Sequence, residues 1–84
     1  MRKIEIYGRQ GCTPCANAKK FCAEHGFNFV YRDVIEDPQA RAEMLARNPK
    51  ATTVPQIFIG DTLVGGYAEL SGRPLNELQQ MIGE

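Results

Sequence analysis

The chain has 84 residues, of which 43% are hydrophobic and 24% are charged; both the length and the composition are typical of one small globular domain. We therefore expect a single domain over residues 1–84, with a modest core and an active site at the surface. Ten Lys and Arg balance ten Asp and Glu, so no global charge favours nucleic acid or an anionic membrane as a partner.

The three cysteines are too few, and odd in number, for the disulfide framework of a secreted domain. Two of them form a CxxC pair near the start of the chain, which in a reducing compartment indicates redox chemistry or a metal. The chain contains no apolar run long enough for a bilayer span or a signal peptide. We expect a cytoplasmic protein.

The first half of the chain predicts two strands and two helices. Residues 4–7 are a short β-prone run, followed by a loop with two glycines. Apolar residues recur at helical spacing over residues 13–25, and Gly26 is placed to end that helix. Residues 27–31 are again β-prone, and acidic residues with a proline predict a second helix over residues 38–47.

The second half predicts a hairpin and a final helical segment. Residues 54–59 and 63–64 are apolar runs joined by a Gly-Asp turn. The glycine pair 65–66 either ends the second strand or lets a ligand approach the following helix. That helix covers residues 67–82, with an interruption near residues 72–74. The order is β-α-β-α-β-β-α, with the first two strands parallel and the last two antiparallel.

The CxxC pair lies where the first strand meets the first helix. A Cys12 thiolate there receives helix N–H groups and the positive end of the helix dipole, which lowers its pKa toward neutrality. Arg9 adds a nearby cation. Cys15 lies one turn further along, close enough to form a disulfide with Cys12 but less exposed. We therefore assign Cys12 as the nucleophile and Cys15 as the resolving thiol.

Zinc is the main alternative for these cysteines, because Cys12, Cys15, Cys22 and His25 form a superficially zinc-like string. In one continuous helix Cys22 lies about 10 Å along the axis from Cys15, whereas all ligands of one zinc lie within about 2.3 Å of it. We therefore expect no metal. Cys22 is predicted to be a core residue, and His25 a partner for the negative end of the helix.

Three motifs together resemble the glutaredoxin family in order and spacing, and the resemblance covers essentially the whole chain. They are the CxxC pair after the first strand, the run Thr53-Val54-Pro55-Gln56-Ile57-Phe58-Ile59, and Gly65-Gly66-Tyr67. The resemblance implies a thioredoxin-like α/β fold, with a four-stranded mixed sheet, three helices and a cis Pro55 beside the dithiol. It also implies that glutathione is a co-substrate, with no cofactor bound.

The resemblance also implies a glutathione site. In the family, a basic residue shortly before the first cysteine meets a glutathione carboxylate, the cis-proline segment pairs with the tripeptide backbone, and the segment after the glycine pair receives the γ-glutamyl carboxylate. The matching residues here are Arg9, Thr53, Val54, Pro55, Gly66, Tyr67, Ala68 and Glu69.

Two positions depart from the family pattern. Thr13-Pro14 places proline third in the motif, more as in thioredoxin, and leaves no aromatic ring over the site. Ala68-Glu69 stands where the family often carries two acids, or a hydroxyl and an acid, so one polar contact to glutathione is expected to be lost.

The predicted activity is glutathione-dependent reduction of protein disulfides and of protein–glutathione mixed disulfides by a monomer. One alternative is a glutaredoxin-like electron donor that is reduced by thioredoxin reductase. Another is an iron–sulfur carrier, with two chains bridging a cluster through Cys12 and glutathione, which Pro14 disfavours. A binding module without enzymatic activity would tolerate the loss of both cysteines.

Overall fold

The structure, a computed structural model, describes residues 2–83. These residues form four strands and four helices, joined by loops. In chain order they are β1 (Ile4–Gly8), α1 (Thr13–Glu24), β2 (Phe29–Asp33), α2 (Pro38–Arg47), β3 (Gln56–Ile59), β4 (Thr62–Gly65), α3 (Tyr67–Gly72) and α4 (Leu75–Ile82).

The strands form one mixed sheet in the order β2-β1-β3-β4. Strand β1 is parallel to β2 and antiparallel to β3, and β3 and β4 form an antiparallel hairpin. This is the predicted arrangement. The parallel pair needs the crossover that α1 provides, whereas the antiparallel pair needs only the short turn at Gly60 and Asp61.

Helices cover both faces of the sheet because successive residues of a strand point to opposite sides. Ile57 and Ile59 of β3 pack into a cluster with α1, α3 and α4, whereas Phe58 between them packs toward α2. All four residues of β3 are buried. The two central strands therefore bury side chains on both faces, as expected for strands between two helical layers.

The helix ends follow from residues that the sequence already marks. Asp37 caps α2, and its side chain accepts a hydrogen bond from the Gln39 N–H at 3.0 Å. Gly26, in the left-handed conformation at φ 69°, follows the end of α1. Arg73 and Pro74 separate α3 from α4, because proline has no N–H to continue the helix. The predicted interruption is present, and it makes four helices where three were expected.

The remaining cysteine and the single histidine have structural roles, as predicted. Cys22 is fully buried in the core, and burial raises the pKa of its thiol to about 11. His25 lies at the C-terminal end of α1, with Nδ1 2.8 Å from the Phe21 carbonyl oxygen and its ring packed against the rings of Phe21 and Phe27. Helix α1 is continuous between Cys15 and Cys22, which separates these two sulfurs along its axis.

Helix α2 is fixed to the sheet by Arg47. Its guanidinium lies 4.0 Å from the centre of the Phe58 ring, donates to the Tyr7 hydroxyl at 3.2 Å, and pairs with Glu5 at 3.0 Å. A planar guanidinium suits stacking and ion pairing together. The loop that follows α2 therefore starts from a fixed point, which matters because that loop borders the CxxC pair.

Candidate active site

Cys12 and Cys15 lie at the N-terminus of α1, directly after the loop that leaves β1. Their sulfurs are joined as a disulfide, with the two Cα atoms 5.2 Å apart. Cys12 is the N-cap of the helix, and its sulfur accepts a hydrogen bond from the Cys15 N–H at 3.2 Å. Cys12 is 9% exposed and Cys15 is fully buried. An attacking molecule therefore reaches Cys12 first.

Cys15 and Tyr31 pack closely against the backbone of Gly8. A Cβ atom at Gly8 would lie 2.9 Å from the Cys15 sulfur and 2.9 Å from Tyr31 Cζ, closer than side-chain atoms approach in a packed interior. The Gly8 position therefore requires glycine because of close packing. The side chains of Cys15 and Tyr31 occupy the space that a side chain at position 8 would otherwise fill.

The loop between β1 and Cys12 is held by Tyr31. Its hydroxyl donates to the Arg9 carbonyl oxygen at 3.1 Å, and the Lys19 ammonium lies 4.2 Å from the centre of its ring. Burial, followed by the Asp33 carboxylate, raises the pKa of Tyr31. The hydroxyl therefore stays protonated near neutral pH and remains a donor to the loop.

The loop before β3 forms the other wall of the site. The Val54–Pro55 peptide bond is cis, as the family resemblance implies. The Val54 carbonyl oxygen lies 3.9 Å from the Cys12 sulfur. Gln56 is buried, donates to the Thr53 carbonyl oxygen at 2.8 Å, and accepts from the Asn48 side chain at 3.1 Å. Gln56 therefore fixes this loop relative to the end of α2.

One groove runs from the cis-proline loop to the start of α3. Its volume is about 420 Å³. Among the described residues that line it, Glu69 alone is charged, and its Oε1 accepts a hydrogen bond from the Gly66 N–H at 2.7 Å. The residues that line it are Pro14, Thr53, Val54, Pro55, Gln56, Gly65, Gly66, Tyr67, Ala68 and Glu69.

A second groove of about 620 Å³ lies between the β1 loop, α2 and the loop that carries Val54. Within residues 2–83, Arg9 and Arg41 are the charged residues that line it. Thr53 and Val54 line both grooves. The two grooves therefore meet at Thr53 and Val54, and the Val54 carbonyl oxygen is the one that lies 3.9 Å from the Cys12 sulfur.

The structure brings the predicted glutathione residues together around the dithiol. Seven of the eight line the first groove, and the eighth, Arg9, lines the second. Glu69 is engaged with the backbone at the start of α3 rather than free. In residues 2–83 no group of three or more His, Cys, Asp or Glu side chains is placed to hold a metal ion, and no helix is long and apolar enough to span a membrane.

Sequence reasoning missed Arg41, Gly8, Tyr31 and Gln56. Arg41 lies within the predicted second helix, but its place in the same groove as Arg9 depends on how α2 packs on the sheet. The sequence assigns Gly8 to the loop whose glycines permit tight or left-handed geometry, whereas in the structure Gly8 ends β1 and packs against Cys15 and Tyr31. The run from Thr53 to Ile59 contains Gln56, yet only the structure shows that its amide holds the loop.

Comparisons with known proteins agree with this geometry. The family model described as Glutaredoxin matches residues 4–64. A Synechocystis protein named "Probable glutaredoxin" is 41% identical over 70 residues, which cover 83% of this chain and 64% of that protein.

Two solved structures extend the comparison to the fold. The solution structure of glutaredoxin from Brucella melitensis is 37% identical, with a TM-score of 0.72 over 100% of this chain and 94% of that one. A buckwheat glutaredoxin–glutathione complex is 20% identical, with a TM-score of 0.78 over 96% of this chain and 76% of that one. The predicted thioredoxin-like α/β fold is confirmed.

Proposed function

The chain belongs to the glutaredoxin family, and from this we propose that it is a thiol–disulfide oxidoreductase that uses glutathione as its reductant. Its substrates are protein disulfides and protein–glutathione mixed disulfides. The observation that carries the proposal is the unequal placement of the two sulfurs: Cys12 is 9% exposed beside Val54, a residue that lines both grooves, whereas Cys15 is fully buried. A reducing compartment such as the cytoplasm suits this chemistry.

The first half of the reaction uses the Cys12 thiolate as the nucleophile. It attacks one sulfur of a substrate disulfide, forms a mixed disulfide with that sulfur, and releases the other sulfur as a thiolate. The Cys15 N–H, 3.2 Å from the Cys12 sulfur, and the start of α1 stabilise the negative charge on Cys12. Cys15 then attacks the Cys12 sulfur, which releases the second substrate thiolate and forms the Cys12–Cys15 disulfide.

Glutathione restores the dithiol in two exchanges. A first glutathione thiolate attacks Cys12, because Cys15 is buried, and releases Cys15 as a thiol. A second glutathione attacks the sulfur of the first, so that oxidised glutathione leaves and the Cys12 thiolate re-forms. The two electrons that reduce the substrate therefore come from two glutathione thiols.

The two grooves give glutathione one orientation. With its cysteine sulfur at Cys12, its backbone runs along Val54 as a short added strand. Its glycyl carboxylate then meets Arg9 and Arg41 in the second groove, where bidentate pairing is available. Its γ-glutamyl end lies in the first groove, where the amides of Tyr67 and Ala68 begin α3 and have no partner within the helix.

Ala68 and Glu69 weaken the γ-glutamyl end of this site. The methyl group of Ala68 offers no hydrogen bond, and the Glu69 carboxylate already accepts from the Gly66 N–H. The loss of one hydrogen bond to a charged group costs about 1.5–3 kcal/mol, less where water replaces it. Glutathione therefore binds, but more weakly than it would with a polar residue at position 68.

A coupled assay tests the proposal. Oxidation of NADPH is followed with a glutathionylated peptide as substrate, once with glutathione and glutathione reductase and once with thioredoxin reductase. We expect turnover with glutathione, none for Cys12→Ser, and little with thioredoxin reductase. Faster turnover with thioredoxin reductase would instead identify an electron donor of that system.

A further inference from the structure

The second groove has an apolar wall that the proposed glutathione site does not use. Ile35 is 67% exposed at its edge, and the wall continues inward through Val34, Met44, Leu45 and Ala51. The other exposed large apolar side chains, Val30, Leu63 and Leu75, line neither groove beside the dithiol. Exposed apolar surface that borders a reactive site is typical of a recognition surface.

The two arginines of this groove also lack an ion-pair partner among the described residues. Arg9 and Arg41 form no ion pair within residues 2–83, whereas Arg32, Arg47 and Arg73 each do. None of the described residues that line the groove is acidic. Arginine is common where carboxylates are recognised, since its planar guanidinium matches their geometry. The groove therefore favours an occupant that is both apolar and acidic.

We propose that this groove docks the segment of a protein substrate that carries its disulfide, and that it selects an apolar residue with an acidic neighbour close to the attacked cysteine. The proposal rests on the disulfide-reductase function proposed above. Val54 lines the groove and its carbonyl oxygen lies 3.9 Å from the Cys12 sulfur. Because an extended segment advances about 3.3 Å per residue, only the first few residues beside the substrate cysteine enter the groove.

The protein segment and glutathione use the two arginines at different steps. The substrate segment docks while Cys12 attacks its disulfide, and it leaves once the Cys12–Cys15 disulfide has formed. Glutathione then enters, with its glycyl carboxylate on the same cations. The apolar wall around Ile35 serves only the protein substrate, so the two functions are separable by mutation.

Single-turnover oxidation of the pre-reduced enzyme tests the proposal without glutathione. Cyclic peptides with one disulfide carry Leu-Asp, Ser-Asp or Leu-Lys beside one cysteine, on its N-terminal side in one set and its C-terminal side in the other. The reaction is quenched with acid and the free thiols are alkylated. The oxidised fraction of the enzyme is then measured by mass spectrometry, since the chain has no Trp whose fluorescence could report it. In one of the sets we expect Leu-Asp to react about tenfold faster than Ser-Asp and about threefold faster than Leu-Lys.

Variants locate the preference on the groove. We expect Ile35→Ser to lose the preference for Leu, and Arg41→Glu to prefer Lys over Asp. Val30→Ser and Lys20→Glu are matched controls outside the groove and should keep both preferences. Hydroxyethyl disulfide has neither an apolar side chain nor a charged one. Its rate of oxidation of Ile35→Ser should therefore be unchanged, which would show that this variant is folded.

The outcomes separate the two proposals. Equal rates for all peptides in both sets, or preferences that persist in Ile35→Ser and Arg41→Glu, would overturn the docking groove even if glutathione supports turnover. Failure of glutathione to reduce the oxidised enzyme would overturn the glutathione proposal and leave the peptide preferences standing.

Discussion

Replacement of Gly8 by alanine places a methyl group against both Cys15 and Tyr31. The added carbon would lie 2.9 Å from the Cys15 sulfur and 2.9 Å from Tyr31 Cζ. Gly8 belongs to β1, which is paired with β2 on one side and β3 on the other, so the backbone has little freedom to withdraw. The resolving cysteine or the tyrosine must move.

The expected cost is that of overpacking a filled interior, about 1–3 kcal/mol. The lower chain entropy of alanine in the unfolded state offsets about 0.4–1 kcal/mol of this. For a domain of this size each kcal/mol corresponds to roughly 4–8 °C in the melting temperature. Gly8→Ala should therefore lower the melting temperature by several degrees, and displacement of Cys15 should slow its attack on the mixed disulfide.

Thermal unfolding and activity are measured together, with dithiothreitol present in the unfolding experiments so that the disulfide makes no contribution. Gly72→Ala is the matched control, since within residues 2–83 no atom beyond its chain neighbours and the backbone of its own helix lies within 4 Å of the methyl group that it adds. In the Cys15→Ala background the cost of Gly8→Ala should fall, by a coupling of about 0.5–3 kcal/mol. Reduction of protein disulfides, which needs Cys15, should fall more than reduction of glutathione mixed disulfides.

The reasoning would be refuted if Gly8→Ala cost no more stability than Gly72→Ala. It would also be refuted if neither Cys15→Ala nor Tyr31→Ala reduced the stability cost of Gly8→Ala. The added methyl group would then clash with neither side chain.

Four further predictions concern the dithiol, its grooves and the buried third cysteine. Cys12→Ser should abolish activity, whereas Cys15→Ser should retain reduction of glutathione mixed disulfides and lose much of the reduction of protein disulfides; equal residual activities would contradict the assignment. Arg9→Glu should raise KM for glutathionylated substrates more than it changes kcat, and unchanged kinetics would remove Arg9 from the site. Ala68→Ser should lower that KM by offering a donor to the carboxylate, which a matched Ala68→Val control should not. Cys22 should resist iodoacetamide at pH 8 in the reduced protein, because burial raises the pKa of its thiol to about 11 and leaves it protonated; its alkylation at the rate of Cys12 by mass spectrometry would contradict this.

Much of this site is local in sequence and could therefore be predicted. The positions of Cys12 and Cys15 follow from a strand, a loop and a helix that adjoin along the chain, and their unequal exposure follows from the helical turn between them. The interruption at Pro74 follows from the absence of its N–H. These features depend on neighbours a few residues away.

Other features depend on contacts between distant segments. Gly8 is required because Tyr31, on another strand, and Cys15, on a helix, approach its backbone, which no local pattern reveals. Arg41 reaches the groove of Arg9 only because α2 packs across the sheet face. Each needs the tertiary arrangement before its role is visible.

The position of Glu69 in the predicted segment leaves its role open. The resemblance places it in the glutathione segment, and it does line that groove. Its carboxylate, however, accepts the Gly66 N–H at 2.7 Å. The usual sequence signature for such a cap begins with Ser or Thr, and a glycine at that position conceals it.

The most direct test of the central claim, that glutathione acts at Cys12, is to trap the mixed disulfide. Cys15→Ser is incubated with oxidised glutathione and analysed by intact-mass and peptide mass spectrometry. The account predicts one glutathione per chain, attached to Cys12, absent from the buried Cys22, and removed by excess reduced glutathione. No adduct, an adduct on Cys22, or an adduct that reduced glutathione fails to remove would contradict it.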